Sequence, residues 1–245
     1  MNGNPRNNGL RRKYRFDSDK KAQLFEVSVF LLLIVPSMMQ SFLVVEQGAA
    51  SFTVTAWATI LRDLGLVGLV AYFLWKNEQS ADRIGWTLRN VRTEIGIGFA
   101  LFIPFFVGIG LVESALHAAG FAASRAPRPE FLTPGNLPQY LLAMLLLAVV
   151  AVAEEIIFRG YLILRFVELG ASPVGAATLS AILFSLGHGY EGSVGVITVA
   201  VAGFGLGMLY LWRQSLVSLI VLHFLLNFVG VILAPLLRSS AVGSG

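Results

Sequence analysis

The sequence predicts an all-α membrane protein, a polytopic bundle of about seven transmembrane helices. Three observations predict that class. Of 245 residues, 56% are hydrophobic and only 13% charged, against roughly a quarter charged in a soluble domain. The apolar residues fall into long unbroken runs, near the ~20 residues a helix needs to cross the hydrocarbon core. In lipid the backbone must satisfy its own hydrogen bonds, so such runs are read as helices. Lysine and arginine, finally, are concentrated on one side of the predicted spans.

The elements follow in order. Residues 1–22 are a polar, basic tail: Arg6, Arg11, Arg12, Lys13, Arg15, Lys20 and Lys21 all precede the first apolar run. Beside a membrane segment, such a cluster reads as facing anionic lipid from the cytoplasm, rather than nucleic acid. The first apolar run starts late and shows no clear small-residue cleavage site, so it is read as a retained span. That span covers residues 24–45, with a kink expected at Pro36. The second covers 54–75 and carries Arg62-Asp63. Residues 76–92 are a charged connector in which Ile84, Trp86, Leu88 and Val91 alternate with polar groups, the pattern of a short interfacial amphipathic helix. Residues 95–117 form the third span. A loop with four prolines follows over 120–138. Residues 139–166 make the fourth helix, 173–188 a short fifth, 194–212 the sixth and 216–237 the seventh. The chain thus divides into a basic tail (1–22), a first set of helices and connectors (23–136), a second set (137–238) and a short C-terminal tail (239–245). No soluble domain or tandem repeat is evident.

A cytoplasmic N-terminus places Lys76, Arg83, Arg89, Arg92, Arg165 and Arg213 inside as well. Only Arg125, Arg128 and Arg238 then lie outside. The span count and the charge bias agree, and a bacterial cell membrane is the expected location.

The chemistry is concentrated in the fourth helix. Glu154, Glu155 and Arg159 stand inside an apolar run, where each charge costs ~2.5–3.5 kcal/mol on insertion scales. Glu155 and Arg159 are four apart and share a face, so they can pair. Glu154 lies ~100° round the helix from Glu155, so the two carboxylates are expected to do different jobs. A buried packing network would account for Glu155 and Arg159, yet it leaves Glu154 without a partner. His188 closes the fifth helix. His223 and Asn227 share one face of the seventh, and helix-to-helix hydrogen bonding is an equal reading of that pair. Counted at 1.5 Å per residue from the inner side, Glu154 lies ~18 Å deep, His188 ~22 Å, His223 ~12 Å and Asn227 ~18 Å. His188 fits that layer least well, so the fifth helix is expected to be tilted, or broken at Gly187 and Gly189. His117 ends the third span and reads as interfacial.

Absences narrow the options. There is no cysteine, hence no thiolate ligand or nucleophile. No HExxH helix, GxSxG elbow or Walker A loop occurs, and Ser193 has no evident triad. A carboxylate, two imidazoles and an amide suit activation of water and stabilisation of an oxyanion. Glu154, His188 and His223 could instead hold zinc with an open position. Gly203-x-x-x-Gly207 allows close helix packing, within the bundle or between protomers.

Three motifs then stand in order: EExxxR at Glu154–Arg159, FxxxH at Phe184–His188 and HxxxN at His223–Asn227. With the lead-in over residues 203–216, they resemble the intramembrane proteases called CPBP or Abi, which include the type II CAAX prenyl proteases. The resemblance covers residues 137–230; the first three spans share only its hydropathy. It implies a catalytic core at 137–238 and an endopeptidase acting on a membrane-associated protein or peptide within the bilayer. CAAX-type processing and bacteriocin maturation or immunity are both in scope. By resemblance, Glu154 with His188 activates water, His223 and Asn227 hold the oxyanion, and Glu155 with Arg159 orients the site. Such enzymes are usually labelled metalloendopeptidases, with a metal-free glutamate–histidine mechanism as the rival. Other classes remain: a proteolytically silent scaffold keeping the fold, or a small transporter relaying protons through its carboxylates.

Overall fold

The computed structural model describes residues 5–42, 51–121 and 133–237, with side chains from residue 20 onward. Every regular element in those stretches is helical: α1 Pro5–Gln40, α2 Phe52–Lys76, α3 Val91–Ala118, α4 Leu137–Glu154, α5 Ile163–Glu168, α6 Pro173–Leu186, α7 Gly192–Arg213 and α8 Val217–Phe228. Two π-helical stretches, Glu155–Leu162 and Val229–Leu233, continue α4 and α8 without a break. The expected tail at 1–22 overlaps α1, which begins at Pro5. Proline is favoured at the first helical position, and arginine and lysine are good helix formers.

Six helices are long and apolar enough to cross a membrane: Lys20–Gln40, Phe52–Lys76, Val91–Ala118, Leu137–Glu168, Gly189–Arg213 and Val217–Leu237. The chain is therefore an integral, multi-pass membrane protein. α6 is the shorter seventh. Its 14 residues rise only ~21 Å, less than the ~30 Å hydrocarbon core. It stops at Leu186, and the chain turns through a short 3-10 helix, Gly189–Glu191. The break falls where Gly187 and Gly189 bracket His188.

Small residues decide how closely the helices approach. A Cβ added at Gly207 would lie 3.1 Å from the Ala177 Cβ, and one at Gly203 would lie 3.1 Å from the Phe184 ring. The Gly203-x-x-x-Gly207 pair thus closes α7 onto α6 inside the bundle. α3 meets α8 in the same way, where a Cβ on Gly98 would stand 2.8 Å from the Ser218 carbonyl.

The connector departs from its expected form. It is no interfacial amphipathic helix but a single 3-10 turn, Ala81–Ile84, that drives Ile84 into the core at 3% exposure. Gly85 ends the turn at φ 76°, a conformation that costs glycine little. Its carbonyl accepts from Leu216 N at 2.9 Å. Gly160 makes room, since a Cβ there would stand 2.9 Å from the Ile84 carbonyl.

Arg165 also differs from a loop cation. It is fully buried and pairs with Glu168 at 2.7 Å. Glu168 in turn binds Arg83 at 2.8 Å, and buried Glu26 of α1 takes Lys76 of α2 and Asn77 just after it, each at 3.0 Å. Arg165 also lies 4.0 Å from Glu26, so the network ties α1, α2, the connector and α5 together, and the rings of Phe30 and Phe73 pack on Tyr161.

Candidate active site

The site begins where α4 becomes π-helical. A π stretch puts an extra residue into the turn, re-aims the side chains along it, and is frequent at functional sites. Here it starts at Glu155, and all eight of its residues are buried. Ser180 of α6 donates to the Phe158 carbonyl inside the stretch.

Arg159 Nη1 donates to Glu155 Oε1 at 3.0 Å, with both side chains essentially sealed from solvent. The same oxygen lies 2.7 Å from His223 Nδ1. The other imidazole nitrogen, Nε2, faces Glu154 Oε2 at 3.5 Å. His223 is therefore bracketed, with one glutamate at each ring nitrogen. The two carboxylates do differ in setting, as their angular separation predicts: Glu155 is sealed and paired, while the Glu154 side chain keeps 18% exposure. Glu154 is not without a partner, however, and the imidazole it faces is His223. Among the described residues, Glu155 Oε2 and Arg159 Nη2 are buried without a hydrogen-bond partner.

Phe184 organises the other half. Its ring lies 4.4 Å below the Arg159 guanidinium, 5.1 Å from Phe158, 5.0 Å from the His188 ring and 6.1 Å from His223, edge-on. The phenylalanine of the second motif is thus in ring contact with both imidazoles. His188 follows the end of α6, with Nδ1 3.3 Å from the Phe184 carbonyl. Asn227 is half-buried one turn beyond His223 on α8. His117 is apart from the site, near the end of α3, 4.0 Å from Glu113.

A metal would need three or more donors converging. Among the described residues no group of His, Cys, Asp or Glu does so. Glu154 and His223 are neighbours at 3.5 Å, but His188 does not join them in such a group. In this conformation the donor set does not fit zinc.

One further pair had been visible in the sequence without a role. Asp63 of α2 is 3% exposed, and its Oδ1 takes Arg62 Nε at 2.9 Å. Both charges lie within electrostatic reach of Glu154, and Asp63 Oδ2 is buried without a partner among the described residues. The signal was the same one that flagged Glu154, an ionisable group inside an apolar run.

Fold and cluster together define a class: a multi-pass helical membrane protein with an acid–imidazole site enclosed by its bundle. The family model described as type II CAAX prenyl endopeptidase Rce1-like matches residues 136–229. That region resembles the Rce1-like endopeptidase domain, which at the level of the family supports an intramembrane endopeptidase. It contains Glu154, Glu155, Arg159, His188, His223 and Asn227. No curated protein and no solved structure matches the chain.

Proposed function

We propose that the chain cleaves a peptide bond of a membrane-associated protein or peptide, with Glu154 as the base that activates water. The observation that carries this reading is His223 held between Glu155 at 2.7 Å and Glu154 at 3.5 Å. Carboxylates only accept hydrogen bonds, so one mobile proton belongs between Glu154 and His223 Nε2. When that proton is on His223, Glu154 is free to take one from water, and Nε2–H becomes a donor for the oxyanion.

The steps follow. Water adds to the scissile carbonyl carbon and gives its proton to Glu154. The carbonyl oxygen gains the negative charge and is held by His223, with Asn227 from the same face. The C–N bond then breaks, and the proton on Glu154 passes to the leaving amine. Glu155 keeps the imidazole oriented while Arg159 balances its charge. His188, whose ring packs on the same Phe184 ring as His223, is the second imidazole of the site and is assigned to help Glu154 with the water. Site closure inside the bundle strengthens each of these interactions by keeping bulk solvent out.

The substrate is membrane-anchored because the site is enclosed by apolar helices; CAAX-type processing and maturation of another membrane peptide both meet that condition. The N-terminus lies on the cytoplasmic side of a bacterial cell membrane, on the charge bias of the connectors. The test is cleavage of a lipid-anchored peptide by detergent-solubilised protein, with and without chelator. Chelator-resistant turnover is expected. Activity lost to chelator and restored by zinc would instead make Glu154, His188 and His223 metal ligands. A silent scaffold or a proton-relaying transporter would give no cleavage in either arm.

A further inference from the structure

The first helix lies outside the family-matched region, yet its end touches the segment that carries His188. Ser41 Oγ donates to the Leu186 carbonyl at 2.8 Å and accepts from Gly189 N at 2.9 Å. Leu186 is the last residue of α6, and carbonyls at a helix end have no partner of their own within the helix. Gly189 opens the 3-10 turn. A single hydroxyl therefore spans the break and bonds the chain on both sides of His188.

The contact continues through Phe42 and Met38. A Cβ added to Gly189 would lie 2.4 Å from the Phe42 ring, and one on Gly187 would lie 3.8 Å from Met38 Cγ. α1 thus grips both glycines that flank His188. Glycine has the greatest backbone freedom to lose. A Gly-His-Gly segment left to itself would sample many orientations of the imidazole. The Phe184 carbonyl, 3.3 Å from Nδ1, also accepts from Gly187 N at 3.2 Å, and the Ser185 carbonyl accepts from His188 N at 3.0 Å; past the imidazole, Gly189 N turns to Ser41.

We propose that Ser41 is a positioning residue for His188, and that α1 completes a site whose other parts lie in the matched region. The proposal rests on the hydrolytic reading of the site given above. Ser41 touches neither substrate nor the reacting atoms; it acts through the backbone on either side of the imidazole.

The test uses the full chain in detergent. Ser41→Ala is expected to lower kcat by about 10²-fold, the scale of a small misplacement, with KM and melting temperature near wild type. Ser41→Thr keeps the hydroxyl and should recover most of the rate. Gly189→Ala should lose activity by collision with Phe42, and Phe42→Ala should restore it in the double variant. A second readout does not depend on turnover. The chain has three histidines, so the ¹⁵N resonances of His188 can be assigned with His188→Gln, and they should shift in Ser41→Ala. If wild-type protein cleaves nothing, the hydrolase reading fails, while the resonance shift still decides on Ser41. Unchanged resonances in Ser41→Ala would overturn the proposal, whether or not the rate falls. Should Ser41→Ala not fold, the Phe42–Gly189 exchange decides, and a double variant no better than Gly189→Ala would overturn it.

Discussion

Glu155 holds His223: Oε1 of the one lies 2.7 Å from Nδ1 of the other, and that same oxygen carries Arg159 at 3.0 Å. A carboxylate this deeply buried is tolerable only while paired. Arg159 therefore supports the orientation of His223 without touching it. Arg159→Ala should cost both stability and turnover, by ~3–5 kcal/mol in folding, as for other buried pairs that lose one partner. Thermal unfolding in detergent and cleavage of an anchored peptide measure the two losses. A stable, fully active variant would show that Glu155 holds the imidazole unaided.

Asn227 is one turn from His223 on α8 and can donate without titrating. If it serves the oxyanion, Asn227→Ala should lower kcat by ~10²–10³-fold, as for other single donors. KM should change little, because the interaction exists only in the transition state. Steady-state kinetics separate the two terms. A rise in KM at constant kcat would make Asn227 a substrate-binding group instead.

The Arg62–Asp63 pair is asymmetric, with the arginine side chain half-exposed and the aspartate 4% exposed. Removing the arginine strands a buried carboxylate, whereas removing both leaves none. Arg62→Ala should therefore melt at a lower temperature than Arg62→Ala/Asp63→Asn. Equal melting of the two would mean that Asp63 draws nothing from Arg62.

The Gly203 and Gly207 contacts make a packing prediction. Gly207→Leu would drive its side chain into Ala177, 3.1 Å from where the first added carbon must sit. α6 would be forced off α7, with a destabilisation of ~1–3 kcal/mol or more, typical of overpacking. Melting in detergent checks it, and unchanged stability would place the glycine contact elsewhere.

Much of the fold was legible in the sequence because run length and charge set membrane spans directly. The short fifth helix was legible for the same reason; its end at Gly187 was one of two readings, tilt or break, that the depth of His188 left open. The insertion of the connector was not. Alternating Ile84, Trp86 and Leu88 matches an interfacial helix, and only the room at Gly160 and the turn at Gly85 send Ile84 inward. Of the site, the Glu155–Arg159 pair followed from helical spacing. The bracketing of His223 did not, because spacing along an ideal α-helix takes no account of a π stretch starting at Glu155, nor of which neighbouring helix faces it. The contact of Ser41 with Gly189 leaves no pattern at all, since a hydroxyl bonding two backbone groups 145 and 148 residues away has no periodicity to read.

The measurement that bears most directly on the chemistry is the Glu154→Gln variant, compared with wild type for both binding and turnover of a membrane-anchored peptide. Glutamine keeps the shape but cannot accept a proton from water. With Glu154 as the base, the variant binds substrate with near wild-type affinity and releases no product, in the presence or absence of chelator. Turnover retained in Glu154→Gln would contradict that assignment.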